Sequence, residues 1–183
     1  MSKVLAIDMG TSSISAAIAE KGEHGRFFVH SVFRYSYDAL KDDATRAALK
    51  NLDRVFFESS KLHPFADGVL INFSSPFCLD KTISGEFLRP NREIEISEHE
   101  YHEMIEILKN KIKSKLQDIS LSREVFDYDL LDTKVDGYSV ENFLGHKGET
   151  IEIKANFLVV SPFLKKNLEE LKDKFFPGSY LKS

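Results

Sequence analysis

The chain has 183 residues, 42% of them apolar and 30% charged, with a formal net charge of −4. This composition supports a folded, water-soluble protein with one ordinary core or two small ones. Basic residues are dispersed among acidic ones, which argues against a nucleic-acid-binding protein. The single cysteine, Cys78, excludes an intrachain disulfide, and no apolar run approaches the roughly 20 residues of a membrane span. We therefore expect a cytoplasmic protein with no membrane segment in this chain.

Three strands are predicted at the start of the chain. Apolar runs at residues 3–9 and 13–20 favour a hairpin whose turn consists of small residues. The aromatic and β-branched segment 26–37 favours a third strand, with its rings assigned to the core and a sheet edge rather than to base stacking.

A helix is predicted next, over residues 44–62, with Asp42 or Asp43 as its cap. Its apolar residues recur on one face, which favours packing against a core. These residues are Ala48, Leu49, Leu52, Val55 and Phe56.

The middle of the chain is predicted to be a separate module. We place a domain junction near Asp67, a strand at residues 69–73 and its weaker continuation at 76–80. Ser97 and Glu100 form a capping-box pattern at the start of the best-defined helix. Its apolar residues recur at spacings of three and four: Tyr101, Met104, Ile105, Leu108, Ile112 and Leu116.

Two further strands and a last helix complete the pattern. The strands are predicted at residues 124–133 and 150–160, joined by a polar, glycine-containing connection. Ser161 and Pro162 suit the N-cap and first position of the last helix. The order is β-β-β-α, then a module of strand, helix and two strands, then a return to the first domain, which predicts an α/β fold with an inserted α+β module.

The turn of the first hairpin carries residue types that bind phosphate. Gly10 allows the backbone to approach a ligand closely, and the amides of residues 10–13 can converge on an anion. Thr11 and Ser12 add hydroxyl donors, and Ser13 completes the set. Asp8 is positioned to hold a water of Mg²⁺, which would remove its repulsion from a phosphate. The alternative is an ordinary hairpin turn, which uses the same residue types.

Two other groups of residues are candidates for chemistry. His99 and His102 lie one helical turn apart among glutamates, a spacing that can hold a metal, although a solvated helix face is the simpler interpretation. Cys78 has no neighbouring histidine or basic cluster in sequence, so buried packing is the default interpretation.

The segment that contains the first hairpin, VLAIDMGTSSISAAIAE, is similar to the phosphate-1 segment of the actin and sugar kinase superfamily. Three further segments resemble the inserted 1C (SHS2) subdomain of FtsA-like bacterial actin-like ATPases, the FtsA/PilM family. They are VLINFSSPFCLDKTISGEFLRP, ISEHEYHEMIEILKN and DYDLLDTKVDGYSVENFLGHKGETIEIKANFLVVS.

The resemblance implies an RNase H-like, actin-type half-domain with an inserted β-α-β-β SHS2 subdomain. Residues 1–66 would be the first part of subdomain IA, residues 67–159 the SHS2-like 1C subdomain, and residues 160–183 the return segment of subdomain IA. A second lobe is expected beyond residue 183, and Phe175 and Phe176 would then be surface that it covers.

The resemblance also implies site roles and cofactors. Asp8 matches the aspartate associated with magnesium through water. Gly10, Thr11 and Ser12 match the phosphate-contacting turn, and Ser13 is a weaker match. The cofactors would be ATP and Mg²⁺. Because ATP lies between two lobes in this superfamily, this chain alone is expected to bind it weakly and to hydrolyse it negligibly.

The function implied is an FtsA-like cell-division scaffold that links the FtsZ ring to the inner face of the membrane and self-associates into filaments. A PilM-like type IV pilus assembly protein remains an alternative, as does a stand-alone protein-interaction module. A relative of sugar or acetate kinases that shares only the phosphate turn fits least well. The β-α-β-β insertion is small, and the sequence has no recognisable pair of polar residues for binding a sugar.

Overall fold

The computed structural model describes residues 2–38, 44–116 and 123–183. The chain divides into two compact units. The first consists of Met1–Leu79 and Val160–Ser183, and the second of Asp80–Val159. The second unit is therefore inserted into the sequence of the first.

The first unit contains a five-stranded sheet in the order β3-β2-β1-β4-β9. Its strands are β1 (Ser2–Met9), β2 (Ser13–Lys21), β3 (Phe27–Ser36), β4 (Gly68–Phe73) and β9 (Tyr180–Lys182). A short 3-10 helix, Glu23–Gly25, lies between β2 and β3. The hairpin strands β1, β2 and β3 are antiparallel, whereas β4 runs parallel to both β1 and β9. The predicted hairpin and third strand are confirmed.

Two helices complete the first unit, α1 (Ala44–Leu62) and α3 (Pro162–Phe175). The N-cap predicted for α3 is present, since the Ser161 hydroxyl accepts a hydrogen bond from the Leu164 amide at 3.1 Å. The cap predicted for α1, Asp42 or Asp43, lies outside the described residues.

The core of the first unit lies between one face of the sheet and the helices α1 and α3. Side chains alternate along a strand, so Leu5, Ile7 and Met9 share the buried face of β1. The α1 ring of Phe56 is fully buried, and its centroid lies 6.4 Å from that of Phe175 and 6.1 Å from that of Phe176. The interpretation of the two consecutive phenylalanines as surface for a missing lobe is therefore wrong, because they pack on α1.

The first domain junction lies further along the chain than the predicted boundary between residues 66 and 67. The strand β4 pairs along β1, with Leu5 opposite Val69 and Ile7 opposite Ile71, so it belongs to the first unit. The division falls after Leu79 instead. A short apolar run fits either unit by its pattern, and long-range strand pairing decides between them. The second division falls between residues 159 and 160, where the sequence placed it.

The second unit has a four-stranded sheet in the order β5-β8-β6-β7. Its elements are β5 (Cys78–Leu88), α2 (Glu98–Leu116), β6 (Glu124–Val135), β7 (Tyr138–Ser139) and β8 (Thr150–Val160). Of the segment predicted as a weak continuation at 76–80, residues 78–80 are the start of β5, which is 11 residues long, and Pro76 and Phe77 precede it. The identity of this unit as an SHS2 subdomain stays a prediction.

The core of the second unit forms between α2 and β8. The apolar residues at spacings of three and four on α2 and the alternating apolar residues of β8 belong to one buried cluster. It includes Met104, Ile105, Leu108, Ile112 and Leu116 from α2, with Ile151, Ile153, Ala155, Phe157 and Val159 from β8.

A buried arginine fixes the start of α2. The Arg89 side chain is 3% exposed and makes a bidentate ion pair with Glu100, at 3.0 and 3.2 Å. Its Nη1 donates to the carbonyl oxygens of Ile94 and Gly148, both at 3.0 Å. Glu100 Oε2 also accepts from the Ser97 amide at 3.0 Å, and the Glu100 amide donates to Ser97 Oγ at 3.2 Å. The predicted capping box is therefore present and is joined to a buried cation.

This cluster predicts a loss of stability in acid. The hydrogen bond from Arg89 and that from the Ser97 amide hold the pKa of Glu100 below its ordinary value of 4.5. A carboxyl group with a lowered pKa in the folded state contributes stability above its unfolded pKa and loses it as the pH falls through the folded pKa. We expect Glu100→Gln to unfold at lower urea than the wild type near neutral pH, and the difference to shrink below about pH 4. Urea denaturation at a series of pH values measures it, and a pH-independent difference would contradict this origin.

Candidate functional site

The first part of the site is a pair of polar side chains at the ends of two adjacent parallel strands. Asp8 of β1 is aligned with Asn72 of β4, and Asn72 Nδ2 donates to Asp8 Oδ1 at 2.7 Å. Both residues are exposed, while Ile7 and Met9 on either side of Asp8 are buried. Because side chains alternate, the Asp8 carboxylate lies on the sheet face opposite the core. The amide of Asn72 therefore fixes the orientation of this carboxylate.

The second part is the turn that joins β1 to β2, and Tyr37 holds it. The Tyr37 amide donates to the Ser12 carbonyl at 2.8 Å, and the Tyr37 hydroxyl donates to the Gly10 carbonyl. Burial raises the pKa of the Tyr37 hydroxyl, so it stays a proton donor at neutral pH. Two hydrogen bonds thus connect the turn to Tyr37, the residue that follows β3.

The geometry of Gly10 corrects the predicted anion nest. The Gly10 amide donates to the Ser13 carbonyl at 2.9 Å and closes the turn, so this amide is not available to an anion. Gly10 and Ser13 thus shape the loop through their backbone. A Cβ atom at Gly10 would lie 3.1 Å from the same Ser13 oxygen, which leaves little room for a side chain.

Two amides remain at the tip of the turn. Over residues 2–38, 44–116 and 123–183, no acceptor takes a hydrogen bond from the backbone amide of Thr11 or Ser12. Both residues are exposed, so their hydroxyls are also accessible. An anion at the tip can therefore accept up to two amide and two hydroxyl hydrogen bonds.

These residues fit magnesium bound to a phosphate, and they do not fit a cation held by protein ligands alone. The described part of the chain has no cluster of three or more His, Cys, Asp or Glu side chains arranged for a metal ion. Mg²⁺ keeps several waters and commonly binds through one or two carboxylates plus substrate phosphates. Asp8 can hold one of these waters, and the tip of the turn can supply the phosphate contacts.

Sequence reasoning missed two members of this arrangement, Asn72 and Tyr37. Asn72 is the polar residue of an otherwise apolar strand, GVLINF, which is a detectable signal. Its partnership with Asp8 depends on the parallel register of β1 and β4, which no local pattern gives. Tyr37 is one of the aromatic residues of the predicted third strand, and no residue near it in sequence indicates a contact with the turn.

The other candidate residues lie elsewhere. His99 is exposed and 3.4 Å from Glu103, and Nδ1 of His102 donates to the Glu98 carbonyl at 2.6 Å. Cys78 is buried and is not part of a disulfide. Within the described ranges, no helix is both long and apolar enough to cross a membrane.

No protein-family model matches the sequence, and no curated protein matches it either. Solved structures do match. A chain of the PilM-PilN type IV pilus biogenesis complex superimposes on 97% of this chain with a TM-score of 0.53 and 11% identity. The PPX-GPPA enzyme of Aquifex aeolicus covers 38% of this chain and 26% of its own, with a TM-score of 0.30 and 14% identity.

The match to the pilus complex shows a fold and no activity, because the identity is so low. The matched region is 45% of the PilM-PilN complex chain, so the present chain spans less than half of that length. The mixed α/β composition and two sheets are those expected of an actin-like half-domain. The chain therefore shares the fold of the matched part of the PilM-PilN complex chain.

Proposed function

We propose that the chain is the phosphate-binding half of an actin-like scaffold protein, and that the turn after β1 holds the phosphates of Mg-ATP. One observation carries the proposal. Asn72 orients the Asp8 carboxylate near the end of β1, and the turn begins two residues further along the chain. In this turn the Thr11 and Ser12 amides have no hydrogen-bond acceptor among the described residues.

Each residue of the turn has a specific role in this proposal. Asp8 accepts hydrogen bonds from water bound to magnesium, and Asn72 holds the carboxylate in place. Thr11 and Ser12 contact the terminal phosphate through their amides and hydroxyls. Gly10 and Ser13 close the turn, and Tyr37 prevents it from opening. Magnesium, when bound, neutralises part of the phosphate charge that would otherwise repel Asp8.

ATP binding by this chain alone should be weak. In the proposed arrangement the phosphates lie on an exposed turn, and the nucleoside needs a facing lobe for most of its contacts. The chain spans 45% of the chain from the PilM-PilN complex, so a facing lobe in a longer polypeptide or a partner is part of the proposal.

The cellular role proposed is assembly of a protein complex. The match to a chain of a pilus biogenesis complex, over 97% of the present chain, favours a PilM-like role in pilus assembly. The sequence resemblance favours the FtsA-like alternative, a division scaffold with FtsZ-like partners. In both, nucleotide state would regulate partner binding, whereas a stand-alone interaction module would bind its partners independently of Asp8.

The test is a titration of the ¹⁵N-labelled chain with Mg-ATP, followed by amide chemical shifts. We expect the Thr11 and Ser12 resonances to shift, and we expect Asp8→Ala to weaken binding by about tenfold. Asp173→Ala, which removes an exposed carboxylate on α3, is the matched control and should bind as the wild type does.

Two further titrations make the result specific. Adenosine should leave the Thr11 and Ser12 resonances unchanged, and removal of magnesium with a chelator should weaken the response to ATP. Shifts that are confined to other parts of the chain, or that are the same in Asp8→Ala, would overturn the phosphate assignment.

A further inference from the structure

The edge strand β3 contains a β-bulge, and a histidine is its extra residue. Ser31 is aligned with Ile18 of β2 and Val29 with Ala19, so His30 has no partner in the register. A bulge changes the direction of a side chain relative to the regular alternation of a strand. The contacts of His30 are therefore not those that a regular position of β3 would have.

His30 approaches two titratable side chains from other elements. Its Nε2 atom lies 2.9 Å from Oε2 of Glu20 in β2. Its ring centroid lies 5.5 Å from that of His63, which belongs to residues 63–66, the segment that follows α1. Phe65 in this segment is 84% exposed, whereas His63 is half-buried. The histidine pair thus connects the segment after α1 to the edge strand.

The environment of His63 opposes its protonation. The charged groups that face it are Lys3 of β1, Glu20 of β2 and His30 of β3. Burial lowers the pKa of His63 below its ordinary value of 6.5, and the positive charges of Lys3 and His30 lower it further. The Glu20 carboxylate acts in the opposite direction. This single carboxylate already contacts His30, so a proton on His63 has no anion of its own among these groups.

Two other charged side chains in the neighbouring segments are engaged elsewhere. The ammonium of Lys61, in the last turn of α1, lies 4.0 Å from the ring centroid of Phe57. The Asp67 carboxylate accepts a hydrogen bond from the Lys3 amide at 2.7 Å. Neither interaction changes the balance of charge around the two imidazoles.

We propose that His30 and His63 form a pH-sensitive contact, which holds the segment after α1 on the edge strand at neutral pH and releases it in acid. One proton on the pair is accommodated, because Glu20 can form an ion pair with His30. A second proton places two cations about 5.5 Å apart beside Lys3, and the contact becomes repulsive. The proposal goes beyond the nucleotide site and does not depend on it.

The direction of the effect follows from the protons that each state binds. When the segment opens, His63 returns to its ordinary pKa of 6.5, so below that pH the open state binds more protons than the closed state. The closed state therefore has its full stability above about pH 6.5 and loses stability as the pH falls below that value. The loss ends below the lowered pKa that His63 has in the closed state.

Titration of the histidine ring resonances by NMR tests the electrostatic part. His63 should titrate below pH 6.5 in the wild type. His30→Gln and Lys3→Gln should each move its midpoint upward, because each removes a positive charge, and Glu20→Gln should move it downward. His146→Gln removes an exposed histidine of the second unit and is the matched control, which should leave the midpoint unchanged.

Amide hydrogen exchange tests the release itself. The His63 amide donates to the Ser59 carbonyl at 2.8 Å, so its protection factor reports the opening of the segment. From about pH 7.5 to about pH 5 this factor should fall about threefold or more in the wild type, the ratio expected for two unit charges about 5.5 Å apart in a water-like medium. His30→Gln and His63→Gln should remove most of the fall, and Asp8→Ala should keep it.

Three results would overturn the proposal. One is a His63 midpoint that does not respond to His30→Gln. Another is a protection factor that stays constant over this pH range in the wild type. The third is an equal fall in both histidine variants, which would place the origin of the pH dependence outside the pair.

Discussion

Replacing Arg89 with alanine is expected to lower the free energy of unfolding of the second unit by about 3–5 kcal/mol. The guanidinium is 3% exposed and is the only described cation that pairs with Glu100. Its removal leaves that carboxylate partly buried without a counter-ion, and it leaves the Ile94 and Gly148 carbonyls without this donor. The loop that precedes α2 and the loop that precedes β8 both lose their common anchor.

The measurement is urea denaturation followed by circular dichroism, since the chain contains no tryptophan. Hydrogen exchange of the α2 amides then locates the effect in the second unit. Arg92→Ala is the matched control, because Arg92 is 69% exposed and Glu93, next to it, is its only partner among the described residues. Its effect should stay below about 0.5 kcal/mol. A loss below about 1 kcal/mol for Arg89→Ala would show that the cluster is not a structural anchor.

Helices and strands with a strong period were predictable because their periodicity is local. The stripe from Met104 to Leu116 required nothing beyond spacings of three and four, and the alternation in 150–160 marked β8 from end to end. The capping box of α2 and the Ser161 cap of α3 were also visible, because a cap involves residues only three positions apart.

Features that depend on distant segments were not predictable. The strand β5 contains a polar stretch and Gly85, and it forms because β8 pairs with it from more than 60 positions away. The strand β9 has three residues, too few for a period, and it is fixed by pairing with β4. The misplaced boundary near Asp67 has the same cause.

In the candidate site, too, the residues that lie close together in sequence were predictable, and the contacts between distant residues were not. The sequence indicated Asp8, Thr11 and Ser12 because a carboxylate, a glycine and two hydroxyls lie together in one short segment. It did not indicate Asn72, which is 64 positions away from Asp8, or the use of the Gly10 amide inside the turn. Hydrogen-bond partners within a turn depend on its backbone conformation, which residue types alone do not determine.

The second large effect is expected from Phe56→Ala, which should lower the free energy of unfolding of the first unit by about 3–5 kcal/mol. Phe56 is fully buried on α1 and its ring packs against Phe175 and Phe176, so truncation leaves a cavity between α1 and the end of α3. Phe65→Ala is the matched control, because that ring is 84% exposed and its loss should change stability by less than about 0.5 kcal/mol. Urea denaturation with hydrogen exchange of the α1 and α3 amides measures both variants. Phe56→Leu should recover more than half of the lost stability, because leucine refills most of the cavity. Similar losses for Phe56→Ala and Phe65→Ala would contradict a stabilising contact between α1 and the end of α3.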